Sequence, residues 1–153
     1  MEISTTRFGD IEIAEESIVH MPGGMLGLED WKRYVLLEDR PDTAFKWLQA
    51  VDEPSLAFIV IDPMEFFPDY EIELPDEQAE SLELSDPCDA IMLTTVTVGG
   101  DGKITTNLLG PIIMNARTLR AAQIVLTDDR YTPKHVICEL PIVEEQPEQA
   151  KAA

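Results

Sequence analysis

Two-residue alternation of apolar and polar positions is the clearest pattern along the chain. In "AIMLTTVTVGGDGKITTNLL", residues 90–109, Val96 and Val98 alternate with Thr95 and Thr97, and Ile104, Thr106 and Leu108 resume the period beyond a Gly-Gly-Asp-Gly turn. Successive side chains on a strand point to opposite faces, so this period predicts a β-hairpin. Its glycines supply the positive φ angles that a tight turn needs. Upstream, Tyr34–Glu38, Phe45–Val51 and Leu56–Ile61 are short β-prone runs separated by Arg40-Pro41-Asp42 and Asp52-Glu53-Pro54-Ser55. Connectors this short leave no room for crossover helices, so the runs are predicted to be antiparallel neighbours in a meander. Leu56–Ile61 is apolar throughout, as in a strand covered on both faces, whereas Lys46 and Gln49 mark the preceding strand as only partly buried. "TRFGDIEI", residues 6–13, places Gly9-Asp10 between two short extended pieces, and Ala121–Leu126 gives a further strand. The expected fold is all-β: a small antiparallel β-barrel-like domain of roughly eight to ten strands.

One segment departs from the two-residue period. "PDEQAESLEL", residues 75–84, is rich in helix formers, with Pro75 at a first helical position and Asp76 and Glu77 in the first turn. The positive end of the helix dipole favours those carboxylates, so one short acidic helix is expected. Ala79 and Leu82 would be its only inward contacts, which predicts slight packing and a loose hold on the barrel. Residues 1–140 read as a single domain and residues 141–153 as a flexible acidic tail ending in "EEQPEQAKAA".

Charge changes the picture of partners. Against 30 acidic residues stand only 11 basic ones, a formal net charge of −19. Nucleic-acid affinity depends on Lys and Arg displacing the counterions around phosphates, so direct nucleic-acid binding is not expected. Basic protein partners suit this field, as does simple solubility. No stretch reaches the roughly 18–20 apolar residues of a membrane helix, and Met1-Glu2-Ile3-Ser4 lacks the basic-then-apolar order of a signal peptide. A cytoplasmic protein, monomeric alone and without a membrane partner, is the expectation. Cys88 and Cys138 lie far apart without a CxxC pattern, and in a reducing compartment they are expected to be free, buried, small apolar residues.

Candidate chemistry is sparse. Gly102-Lys103 misses the GxxxxGK[ST] spacing of a phosphate loop, and Gly23, Gly24 and Gly27 do not make GxGxxG. Only His20 and His135 offer imidazoles, and His135 with Cys138 gives too few ligands for a structural metal site. Close pairs such as Asp128-Asp129 arise by chance in so acidic a chain. An alternative keeps a hydrolase built from Cys138, His135 and Asp128, or a small-molecule-binding barrel, but no enzyme, cofactor or metal is expected.

Asp62, before Pro63, reads as a strand terminator that bonds its own local backbone. The aromatics beyond it in "MEFFPDYEIEL", Phe66, Phe67 and Tyr70, must either fold under the domain or meet a partner. Asp69, Glu71 and Glu73 alternate with apolar residues and would form one negative stripe beside them. A second contact candidate is "MPGGMLGLEDWKRY", residues 21–34, a flexible loop carrying Met25 and Leu26 with Leu28 and Trp31. Methionine-rich adaptable surfaces suit protein binding, and core packing is the competing fate.

Four long segments carry a resemblance: "TRFGDIEI", "MPGGMLGLEDWKRYVLLED", "FKWLQAVDEPSLAFIVIDPMEFFPDYEIEL" and "TTNLLGPIIMNARTLRAAQIVL". In this order they resemble the flagellar assembly factor FliW family across almost the whole chain. The helix at 75–84, the turn at Gly99–Gly102 and the part past Tyr131 look variable. The resemblance implies a small β-barrel that binds rather than catalyses, with two partners: flagellin, and the carbon storage regulator, an RNA-binding repressor of flagellin translation.

Overall fold

Eleven short strands and one helix are described in a computed structural model that covers residues 1–38 and 43–139. β1 (Glu2–Thr5) and β2 (Gly9–Glu12) form a small antiparallel hairpin of their own. β4 (Arg33–Leu37), β5 (Lys46–Ala50) and β6 (Ala57–Ile61) are the expected meander; β3 (Ile18–His20), which the sequence reading does not contain, and β7 (Ala90–Val98) extend it, each strand antiparallel to the next. β7 is nine residues long and serves two partners along one edge. β8 (Lys103–Thr106) pairs with Val96–Val98, and β9 (Ile112–Asn115) pairs with Ala90–Leu93. β11 (His135–Glu139) then adds to β8, and β10 (Ala121–Gln123) to β9. A single parallel bridge between His20 and Arg120 brings the two ends of the curled sheet together, which gives a half-barrel.

The core follows from alternation. Ile112 and Met114 of β9 point into the barrel with Tyr34, Leu48, Val60, Leu93 and Ala121. Ile113, between them, points to the opposite face, where it meets Leu82, Ile124, Ile72 and Leu74. That outer face is covered by Leu82 and Leu84, directly after α1 (Asp76–Ser81), and by Ile72 and Leu74 of the segment leading into it.

Several expectations change. Gly9 and Asp10 lie within β2, and the turn is at residues 6–8, where Thr5 Oγ1 accepts from the Phe8 N–H at 2.8 Å and donates to the Gly9 carbonyl at 2.8 Å. Gln49 is fully buried: its amide donates to the carbonyls of Ala50, Glu53, Pro54 and Leu56, so the 51–56 turn wraps a polar side chain that sequence alone places half outside. Pro75 precedes the helix as its N-cap in extended geometry, and the strand from Ala121 ends at Gln123. α1 itself buries no residue, in line with the slight packing expected of it, but the chain directly after it is held more firmly than expected. Leu82, directly after α1, is only 1% exposed, and Asn115 Nδ2 donates to the carbonyls of Leu82 and Glu83 at 2.9 and 3.0 Å. β11, absent from the sequence reading, extends the sheet beyond Tyr131. The tail at 141–153 lies outside the described residues.

Candidate functional site

The segment from Asp62 to Leu74 is built in two steps. Asp62 ends β6, and its Oδ1 accepts from the Met64 N–H at 3.0 Å, which caps a 3-10 turn at Pro63–Glu65. Strand termination therefore accounts for Asp62, as expected. The turn brings the Phe66 and Phe67 N–H groups onto the Pro63 carbonyl, and the Tyr70 N–H onto the Phe67 carbonyl. Because the chain turns here, both phenylalanines fold against the domain in separate places. Phe66 packs on Ile61, Val96 and Ile104, with its ring 6.1 Å from Phe45. Phe67 meets the His135 ring edge-on at 5.1 Å. Both remain half-buried.

Tyr70 is corrected from contact candidate to core residue. It is 3% exposed, and its hydroxyl donates to the Leu108 carbonyl at 2.6 Å. Burial raises its pKa well above the usual phenol range, and the neighbouring Tyr131 phenol adds to the shift. From Tyr70 onward the backbone is extended and exposure alternates. Ile72 and Leu74 turn toward Leu82 and Ile113, while Glu71 and Glu73 stand in solvent, with Asp69 exposed in the preceding turn. Tyr131 fixes the segment from the side: its hydroxyl donates to the Glu71 carbonyl and accepts from the Glu71 N–H, both at 3.2 Å. The result is a row of carboxylates on an anchored base.

The loop at 21–34 is tied down rather than loose. The Met21 N–H donates to Lys32, Gly24 to Met21 and Leu28 to Met25. Gly24 has φ +66°, and a Cβ there would lie 2.6 Å from the Glu29 Cα, so glycine is required. Met25 is corrected from contact candidate to core: it is 3% exposed among Val19, Tyr34 and Met114. Leu26 beside it is 70% exposed. Glu29 accepts from the Gly27 N–H at 2.9 Å, and this bond holds its carboxyl below the usual range.

The hydrolase grouping does not assemble. Asp128 is bound by Arg130 through Nε and a terminal nitrogen, which lowers its pKa. Along β11 the half-buried positions are His135 and Ile137, and the exposed ones are Val136 and Cys138, so histidine and cysteine face opposite ways. Cys88 and Cys138 are free but exposed, contrary to the burial expected of them. Cys88 lies in a 3-10 turn at Pro87–Asp89, and Cys138 at an exposed position of β11. Among the described residues no group of three or more His, Cys, Asp or Glu could hold a metal, and no helix is long and apolar enough to cross a membrane.

Comparison with known proteins decides the family. The model of the FliW protein family matches residues 2–137. The chain belongs to the FliW family. A flagellar assembly factor FliW of Geotalea uraniireducens is 43% identical over 98% of this chain and 97% of its own. FliW proteins of Geobacter sulfurreducens and Treponema denticola are 45% and 40% identical over 88% and 92% of this chain, and 85% and 96% of their own. A crystal structure of the flagellar assembly factor FliW superposes with a TM-score of 0.82 at 38% identity, covering 90% of this chain and 97% of that one. The FliW match reaches into β11, so the part past Tyr131 belongs at least to residue 137 within the family pattern.

Proposed function

We propose that this flagellar assembly factor acts by binding, and that it exchanges two protein partners in the cytoplasm: flagellin before its export, and the carbon storage regulator. Unexported flagellin occupies the factor and leaves the regulator free to repress translation. Export releases the factor, which then captures the regulator, and translation resumes. The observation that supports this reading best is the anchored row Asp69, Glu71 and Glu73, exposed above buried Tyr70 and half-buried Ile72 and Leu74 in a chain of net charge −19. Basic surface on a repressor that binds a polyanion is complementary to this row. If the regulator's RNA-contacting surface stays uncovered, antagonism requires that the factor bind the RNA-incompetent state better.

Mixing tests this directly. Flagellin and the regulator should each shift the protein on a sizing column, and flagellin should displace the regulator. No shift with either partner, or simultaneous binding with no mutual weakening, contradicts the switch.

The acidic row has a kinetic signature of its own. Replacing Asp69, Glu71 and Glu73 by their neutral amides should slow association with the regulator and flatten its salt dependence, while dissociation changes less. Exposed charges steer encounters and are screened over about 8 Å at physiological salt. Stopped-flow traces at low and high salt read the effect. Equal salt slopes for parent and triple variant exclude the row from the encounter.

A further inference from the structure

Both non-glycine residues with positive φ among the described residues sit at one corner of the fold. Leu119 has φ +61° and Glu83 has φ +57°. Asn115 joins them: its carbonyl accepts from the Leu119 N–H at 2.7 Å, and its Nδ2 donates to the Glu83 carbonyl at 3.0 Å. A left-handed backbone crowds the Cβ of a leucine against the following carbonyl, so it persists only where the surroundings enforce it. Around Leu119 three contacts do so. Its N–H is held by Asn115, its carbonyl accepts from the His20 N–H at 2.9 Å, and its side chain packs on the core cluster that contains Val19, Met21, Tyr34 and Ala121.

The same residue stands at the weakest join of the sheet. β3 and β10 have three residues each, and among the described residues the curled sheet closes between them only through the His20–Arg120 bridge. Neighbours in the meander share three or four paired positions instead. Two side chains reinforce the join. Gln123 Oε1 accepts from the Leu26 N–H at 2.8 Å, and Arg120 Nε donates to the Ser81 carbonyl at 2.9 Å. Arg33, Arg117 and Arg130 each pair with an aspartate, whereas Arg120 forms no ion pair among the described residues. An open groove of about 290 Å³ runs over the join, with Gly24 and Leu26 on one wall and Arg120 and Gln123 on the other. In the core cluster beneath, Met21, Met25, Met114 and Tyr34 are at most 3% exposed, and the Tyr34 hydroxyl has no partner.

We propose that the β3–β10 seam is a strained latch: it opens and recloses as a unit while the β4–β7 meander stays folded, with the Leu119 side chain as the plug that holds it shut. Opening relaxes the Leu119 backbone, lets water reach the Tyr34 hydroxyl and parts the two walls of the groove. Reburial of the Leu119 side chain drives reclosure. A molecule that spans the groove biases the latch toward closed, which makes the seam a control point separate from the carboxylate row at 69–73.

Native-state amide exchange on the full chain, followed across low urea concentrations, tests the latch. In the parent, the His20 amide is expected to be protected about tenfold less than the amides of β5 and β6, or weaker still, with a urea dependence too shallow for global unfolding. Leu119→Ala removes the plug but leaves the strain, and should cut His20 protection about fivefold further. Leu119→Gly removes both. It should protect His20 better than Leu119→Ala does, whereas packing and chain entropy alone rank glycine below alanine. Exchange of His20 with the protection and urea dependence of β5 and β6 overturns the proposal, because the seam then opens only with the whole domain. Alanine at 119 protecting the seam as well as glycine, or better, overturns it too, because no strain is then stored there.

Discussion

Leu82→Ala is expected to lower the unfolding free energy by about 2–5 kcal/mol, the range for truncating a buried leucine. Leu82 is 1% exposed and packs with Ile113 and Ile124, with Ile72, Leu74 and Leu84 closing around it. Truncation removes this apolar contact and leaves a cavity. The cavity cannot collapse easily, because Asn115 holds the Leu82 and Glu83 carbonyls from the sheet below. Asn115 is itself locked, with Oδ1 accepting from the Arg117 N–H at 2.9 Å. The loss therefore belongs toward the upper part of the range. Six residues of helix are far too few to stand alone in water, so α1 depends on this anchor. Urea denaturation gives the free energy, and amide exchange in residues 76–81 should rise more than in β5 or β6. A change below about 1 kcal/mol would mean that the helix rests loosely on the barrel after all.

That helix shows where the sequence is readable and where it is not. The two-residue period of β7 and β8, and the short connectors around β5 and β6, specify the meander because alternation and loop length act locally. What holds α1 is not local: Asn115 lies 33 residues from Leu82, and nothing in "PDEQAESLEL" announces it. Gln49 follows the same logic. A glutamine in a strand reads as half-exposed until the turn after it supplies four carbonyls to one amide. Burial of a polar group is tolerable only with such partners, and they are set by tertiary folding.

The contact candidates divide for a similar reason. Tyr70 and Met25 are large residues in irregular segments, and apolar area in a loop is buried wherever the loop folds back on the core. Phe66 and Phe67, directly after a 3-10 turn, stay half-buried against different neighbours, Phe45 and His135. Leu26 alone among the apolar candidates remains open. Arg120, Val125 and Gln78, which line one open groove with Leu26, come from two segments far apart in sequence from it, so no motif could have joined them. The only sequence signal was an arginine amid so many carboxylates, and whether it is paired is a matter of geometry.

Stability is expected to fall steeply above about pH 10, and the double variant Tyr34→Phe, Tyr70→Phe should make that fall shallower. Tyr34 is fully buried beside Phe58, with its ring centroid 6.3 Å away, and its hydroxyl has no hydrogen-bond partner. Burial pushes its pKa from 10.0 up to about 12. Burial likewise raises Tyr70, and the charge of Tyr131 raises it further. A phenol is charged only after losing its proton, so burial penalises ionisation in the folded chain. Above pH 10 the unfolded chain releases these protons while the folded one retains them, so unfolding becomes more favourable as pH rises. The contribution is complete below pH 10 and is lost as pH climbs through the folded pKa. For Tyr34 alone this rise corresponds to about 3 kcal/mol. The single variants separate the two rings at neutral pH. Tyr34→Phe removes an unpartnered buried hydroxyl and should stabilise by about 1 kcal/mol, whereas Tyr70→Phe strands the Leu108 carbonyl and should cost about 1 kcal/mol. Chemical denaturation at pH 8, 10, 11 and 12 measures both effects. Net charge is almost the same in all of these chains, so repulsion cannot imitate the difference in slope. Equal slopes for parent and double variant between pH 10 and 12 would show that neither phenol carries the alkaline transition.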